Sequence, residues 1–383
     1  MESNLNTHSA VFLLIPRSDQ IGLNGVIKMK KRNLVKLFTA VSIIAACDSY
    51  IPPSDKGATM RSLEDLEQHL AFTCVHETKP PLSPDTQKLY NYALYQDLHN
   101  MWLGTEGDAV WQNAAVYYRI AAANGDYKAN IRLQYLLQSG RVTAQNPKDE
   151  VYNLNRQLEK QLPATAYYNL YGYLTKGYGV KTAKKEGRFA YLRKAADMGS
   201  REAQYEIAEI LSDMQDDRTY ELRKKLRVKF YSCASEQGLG EASLNLGIFF
   251  KIEKEYSQAV KAFHQGAKNG NSQCASRLSD GFNKKTTVNN EIDYLALKPD
   301  AERKVRYEMI GDYLFRNDYL QPKVPDLDKI VPLPPAKLPP WDGKIEFQRW
   351  YEGASPPKPS DELVQRLAAQ AGLDWQTGLP LKK

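Results

Sequence analysis

Acid–base or metal chemistry would begin with the five histidines, His8, His69, His76, His99 and His264. No two are four residues apart with a glutamate between them, the spacing that puts a pair of imidazoles on one helix face for zinc. His264, in Ala-Phe-His-Gln-Gly, suits a packed or solvent-facing position better than a ligand. There is no Gly-x-Ser-x-Gly elbow, no phosphate-cradling lysine loop and no dinucleotide fingerprint. The isolated Gly177-Tyr178-Gly179 is too short to be one. Carboxylates are common along the chain, but sequence alone pairs none of them. No catalytic residue, cofactor or metal is expected on these grounds, and an enzyme of unknown type is the least supported reading.

The four cysteines divide by context. Cys47 ends a stretch that opens at Met29 with Lys30-Lys31-Arg32, continues through an apolar run at 37–46, and closes on Ile44-Ala45-Ala46-Cys47. A basic flank, a short apolar core and small residues before the cysteine describe an export signal, and the apolar run is too short to span a bilayer. The last four residues resemble a bacterial lipobox, which implies that the Cys47 thiol is acylated and becomes the mature N-terminus. Asp48 resembles the signal that retains enterobacterial lipoproteins in the inner membrane. On this reading Met29 is the true start and 1–28 is an upstream misassignment. Cys74, Cys233 and Cys274 remain: the periplasm permits disulfides, but the number is odd and the pairing open.

Charge follows the same division. The whole chain carries 52 Lys and Arg against 45 Asp and Glu, a formal +7. Six basic and two acidic residues lie in 1–46, which leaves 46 against 43, or +3, in the processed chain. So small an excess gives no reason to expect nucleic acid.

The elements that would position any site come from a repeat. The turn glycines Gly125, Gly199, Gly238 and Gly270 are each followed four residues later by a small residue (Ala129, Ala203, Ala242, Cys274) and eight later by a branched aliphatic one (Leu133, Ile207, Leu246, Leu278). The first interval of 74 halves to 37, predicting a degenerate copy at 162, where Ala166 and Leu170 fall at the two offsets. Two helices per period of this length indicate an all-α solenoid of helix–turn–helix repeats, each buried only against its neighbours. Gly172 to Lys181, followed by Lys194-Ala195-Ala196-Asp197-Met198-Gly199, resembles the Sel-like repeat, a bacterial relative of the tetratricopeptide repeat. Gly177, Gly179 and Val180 match its inter-helix loop; Ala195, Ala196 and Gly199 match its helix-ending motif. Thr182 and Ala183 stand where the family's loop usually carries an acid. The resemblance covers about 110–282, in about five copies, and Cys274 in the small-residue slot is expected to be buried for packing.

The organisation expected from these signals is a signal peptide over 29–47, a tether over 48–60 and an N-terminal helical cap over 61–108. The cap contains helices at 61–73 and from Ser83 to about Leu103; Asp108 caps the next helix. The solenoid fills 109–283, a C-terminal helical cap 284–320, a Pro-rich strap 321–359, and a terminal helix with its tail 360–383. Ten of the 20 prolines lie in 322–359, so this segment reads as extended, with at most a short strand at 345–350. Its interleaved Ile330, Leu333, Leu338, Trp341, Phe347 and Trp350 favour an ordered strap over a disordered tail.

Function then rests on surface. Twenty-four tyrosines, five of them at 167–178, suit protein contact, with a minority expected on the concave face. Sel-repeat lipoproteins of this layout resemble immunity proteins encoded beside type VI secretion effectors. That resemblance implies a periplasmic, membrane-anchored partner for a secreted antibacterial phospholipase. The alternative is an envelope scaffold or regulator with several partners.

Overall fold

Every helix stop in the array solves the same problem, the unsatisfied carbonyls of its last turn. At four turns the solution is identical. The glycine N–H reaches back three residues and the next N–H five, as in Gly125 N→Ala122 O (3.0 Å) with Asp126 N→Ala121 O (3.0 Å). Gly199 with Ser200, Gly238 with Leu239 and Gly270 with Asn271 repeat the pair. This Schellman geometry needs a left-handed residue, and the four glycines have φ between +89° and +107°. The residue after the glycine then starts the next helix. Asp126, Ser200 and Asn271 each accept the backbone N–H of the small residue that follows three later, Ala129, Ala203 or Cys274.

The structure is a computed structural model that describes residues 71–100, 106–176 and 187–381. Its helices, in order, are α1 (Pro84–His99), α2 (Glu106–Ala123), α3 (Tyr127–Gln138), α4 (Pro147–Leu158), α5 (Pro163–Lys176), α6 (Arg188–Asp197), α7 (Arg201–Asp213) and α8 (Tyr220–Glu236). They continue as α9 (Gly240–Ile252), α10 (Tyr256–Lys268), α11 (Ser272–Gly281), α12 (Ala301–Arg316), α13 (Leu327–Ile330), α14 (Glu346–Tyr351) and α15 (Asp361–Gln370). Consecutive helices pack in pairs from α1 to α12, giving an all-α solenoid. No described helix is long and apolar enough to cross a membrane.

The small residues lie at the centre of this packing. Ala129, Ala195, Ala196, Ala203, Ala242 and Cys274 are inaccessible to solvent, as are Leu133 and Leu278; Ala166, Ile207 and Leu246 are buried, and Leu170 is half-buried. Leu162 replaces glycine at the degenerate turn. It is buried against Tyr127, Ile131 and Leu158, and the chain passes without the paired back-bonds of the other turns.

Three large apolar clusters run along the array, and the chain's ends complete all of them. Phe72, before the first described helix, joins the α6–α9 cluster and stacks on Phe230 at 3.8 Å. Val324, Leu327, Ile330, Val331 and Ile345 of the Pro-rich segment fill the α10–α12 cluster. Val364, Leu367 and Ala368 of α15 enter the first cluster, where α15 packs on α2. The last helix therefore covers the first repeat.

Several elements differ from expectation. Residues 71–83 form no helix; the rest of the expected 61–73 helix lies outside the described residues. Backbone carbonyls there are satisfied instead by solenoid side chains, Arg193 Nη2→Ala71 O (2.7 Å) and Gln204 Nε2→Val75 O (2.9 Å). α1 stops at His99 rather than near Leu103, and Asp108 falls inside the first turn of α2 rather than capping it. The short strand expected at 345–350 is α14. With no strand edge among the described residues to pair with, one helical turn satisfies the backbone internally, as in Arg349 N→Ile345 O (3.1 Å).

One buried polar network holds the first repeat. Asp97 accepts two bonds from Arg132 (Nε 2.6 Å, Nη2 2.9 Å), one from Trp111 Nε1 (3.2 Å) and one from Tyr118 Oη (3.1 Å). Both charges are buried, and the guanidinium also lies over the Tyr135 ring. Asp97→Ala leaves that guanidinium buried without its partner and is expected to cost about 3–5 kcal/mol in urea unfolding. The turns give a second test. Gly140 is also left-handed, but nothing lies within 4 Å of a Cβ placed there. Gly140→Ala is therefore expected to cost only the conformational term, about 1–2 kcal/mol. At Gly270 a Cβ would run into the Pro322 carbonyl, and Gly270→Ala is expected to lose about 1–3 kcal/mol more.

Candidate functional site: the repeat face and the closed turn edge

The turn glycines define one edge of the array, and the protein's own terminal segments lie on it. Glu77 passes over Gly199 so closely that a Cβ would strike its backbone nitrogen. The Glu77 carboxylate accepts Thr165 N (3.1 Å) and Thr165 Oγ1 (2.5 Å) at the start of α5. Burial raises its pKa, and the Thr165 bonds oppose that rise. From the other end of the chain, Lys323 Nζ donates to Gly238 O (2.6 Å) and Asn269 O (3.0 Å), two successive turns. Burial, reinforced by repulsion from Arg201, brings this ammonium down to about 7. Turns also bond to one another: Gln161 Nε2→Gly125 O (2.6 Å), Arg201 Nη1→Gln237 O (2.9 Å) and Asn269 Nδ2→Ser235 O (2.9 Å).

A cavity of about 250 Å³ opens beside this edge, lined by His76, Glu77, Lys79, Thr165, Arg201 and Glu202 among others. Three of its polar groups hold the fold. Glu77 caps α5, and Arg201 pairs with Glu202 at 2.7 Å. A cross-link fixes the segment above it: Cys74 is bonded to Cys233, and Cys274 is free and buried. The bridge spans 159 residues of sequence, for which chain entropy gives a stabilisation on the order of 5 kcal/mol.

The most catalyst-like constellation is Tyr307–His264–Asp328, with His264 Nδ1 2.7 Å from Tyr307 Oη and Nε2 2.7 Å from Asp328 Oδ1. Its geometry is that of a pin. Tyr307 is fully buried, its hydroxyl donates to Val331 O (3.3 Å), and Asp328 on α13 also pairs with Lys268. The three residues fasten the Pro-rich segment to α10.

A partly accessible face of α5, α7 and α9 carries a set of tyrosines and carboxylates. Tyr171 Oη donates to Glu206 (3.1 Å) between α5 and α7, and Asn245 Nδ2 to Glu209 (2.7 Å) between α9 and α7. Tyr231 from α8 donates to the same Glu209 at 2.5 Å. Tyr168 and Tyr205 stand half-buried beside them. Burial pushes up Glu206 and the phenols of Tyr168, Tyr171 and Tyr205. Rings held by hydrogen bonds to carboxylates are stiff and amphipathic, which limits the entropy lost when a partner covers them. Of the lysines on α8, Lys225 and Lys229 face solvent, while Lys224 pairs with Glu253 at 2.8 Å.

Of the residues singled out by sequence, the turn and small residues meet along one edge and its underlying seam. Cys47, Asp48, Gly177 and Gly179 lie outside the described residues. Two features escaped sequence reasoning. The caps Asp126, Ser200 and Asn271 sit at a constant offset, one after the turn glycine, and were readable. The Cys74–Cys233 pairing had no local signal.

Comparison with known proteins fits this geometry. Residues 274–381, from α11 through the Pro-rich segment and α15, match a family described as a domain of unknown function (DUF6396). A search of curated proteins found no match. Among solved structures, immunity protein PA5088 from Pseudomonas aeruginosa is 23% identical with a TM-score of 0.52, covering 69% of this chain and 94% of that one. Immunity protein PA5087 and the protein PA5086, both from the same organism, are each 24% identical with TM-scores of 0.51; each covers 69% of this chain and 95% of its own. Together with the repeat geometry, these likenesses place the chain in the fold class of all-α helical-repeat solenoids.

The His264 pin makes stability depend on pH. Burial holds the imidazole below its usual value near 6.5, although the hydrogen bond and charge of Asp328 favour the protonated ring. A depressed folded-state pKa means the neutral ring's stabilisation is complete above 6.5 and is lost as pH falls through the folded value. The melting temperature of the wild type is thus expected to fall more steeply than that of His264→Gln over the acidic side of pH 6.5, by differential scanning fluorimetry.

Proposed function

We propose that the protein is a non-catalytic, lipid-anchored periplasmic binder that neutralises a secreted antibacterial toxin, a phospholipase of the type VI secretion class. The observation that carries this reading is the division of its surface. The turn edge is taken by the chain's own ends, while the tyrosine–carboxylate face of α5, α7 and α9 stays partly accessible. Likeness in fold to the immunity proteins PA5087 and PA5088 supports the kind of partner. The lipobox-like Ile44-Ala45-Ala46-Cys47 supports the address, with Asp48 favouring the inner membrane. A tethered binder at the membrane surface stands where an arriving lipase must work, and covering that enzyme's active site needs no chemistry of its own.

A scaffold or regulator of the envelope is the second reading. It draws on a separate apolar set, Ile252, Val288, Ile292 and Phe315, each at least 66% exposed, which gives room for another partner.

The test is co-expression. The product of the neighbouring open reading frame is directed to the periplasm alone, with the wild type, with Cys47→Ala and with Tyr168→Ala/Tyr205→Ala. Growth is expected to be restored by the wild type and weakened by loss of the anchor. The tyrosine variant is expected to bind the purified toxin at least about 30-fold more weakly, the scale of one interface hot spot. A harmless neighbour, or no rescue by the wild type, would favour the scaffold.

A further inference from the structure

The cross-link between Cys74 and Cys233 has two further groups beside it. His76 lies two residues beyond Cys74, and its Nε2 is 3.4 Å from Glu236 Oε2. Glu236 follows Cys233 by three residues on α8, so the two project from one helix face. The sulfurs and a His76 ring nitrogen all lie within 4.8 Å of one another. Two sulfurs and an imidazole from two chain segments are three of the four donors of a tetrahedral zinc-class ion, and the Glu236 carboxylate stands beside the imidazole to supply the fourth. His76 and Glu236 are half or more exposed, at 50% and 62%, and Cys74 is exposed, so a reductant and an ion can reach the group.

We infer that Cys74, His76, Cys233 and Glu236 form a redox-convertible cation site, a disulfide when oxidised and a site for one zinc-class divalent ion when reduced. The conversion balances as two steps. A dithiol reductant passes two electrons and two protons to the Cys74–Cys233 bond, which breaks to two thiols while the dithiol becomes a disulfide. The ion then replaces the two thiol protons, which leave to solvent, and His76 and Glu236 complete the shell. In a tetrahedral shell the sulfurs sit about 3.8 Å apart. Only the segment bearing Cys74 must shift to open that gap, because Cys233 is held in the core of α8. The clasp on the turn edge therefore survives in either redox state, by a covalent bond or by a metal bridge.

This inference is independent of the toxin partner, and its test needs none. The full chain is reduced with an excess of dithiol, freed of reductant without air, and titrated with Co²⁺. One ion per chain is expected, with thiolate-to-cobalt charge-transfer absorption, and Zn²⁺ should displace it. The oxidised chain should take up none. His76→Ala, an exposed position that the fold tolerates, should weaken binding at least about tenfold, and Cys274→Ser should leave it unchanged. A reduced chain that keeps its helical circular dichroism but shows no thiolate–cobalt absorption would overturn the proposal. So would binding that is indifferent to His76→Ala, or equal uptake by the oxidised chain.

Discussion

The left-handed glycine turn is the constraint on which the rest depends. It ends one helix, and the residue after it starts the next, so a single φ near +90° fixes the angle between consecutive helices. Because the glycine has no Cβ, it also leaves a furrow along the edge where backbone can approach backbone. Pro322 lies in that furrow at Gly270 and Glu77 at Gly199. One residue type thus serves the local stop, the repeat geometry and the docking of chain ends that are remote in sequence.

A solenoid buries each unit only against its neighbours and leaves two open ends. Here the described terminal segments are tied back onto the array. The first described segment is cross-linked back to α8, and the last helix returns to α2. The array is tied at both ends and at intervals along its edge by Glu77, Lys323 and the His264 pin. Such ties hold the curvature of the helical face before any partner arrives, which reduces what binding must spend on ordering. They also remove the edge as a recognition surface.

What could be read from the sequence was local. The glycine phase, the small residue four beyond it and the degenerate copy at 162 all report the geometry of one turn, and a turn is specified by residues within reach of each other. Ser83 was legible as the start of its helix for the same reason, and it accepts a backbone N–H there. The long-range features carry no period. Nothing near Cys74 distinguishes Cys233 from Cys274 as its partner, and nothing in α15 names α2. The expected strand at 345–350 failed because the apolar residues Ile345, Phe347 and Trp350 do not reveal whether another strand is present to pair with it. The tyrosine-rich copy at 167–178 pointed to a surface, but only the fold sets Glu206 beside Tyr171.

The central claim is that recognition uses the face of α5, α7 and α9 because the turn edge is already filled by the chain itself. Hydrogen–deuterium exchange on the protein with and without the neighbouring gene's product tests it most directly. The account predicts new protection in peptides covering 163–176, 201–213 and 240–252, with 71–83 and 321–324 equally protected in both samples. Protection confined to those two edge segments, or none on the three helices, would contradict it.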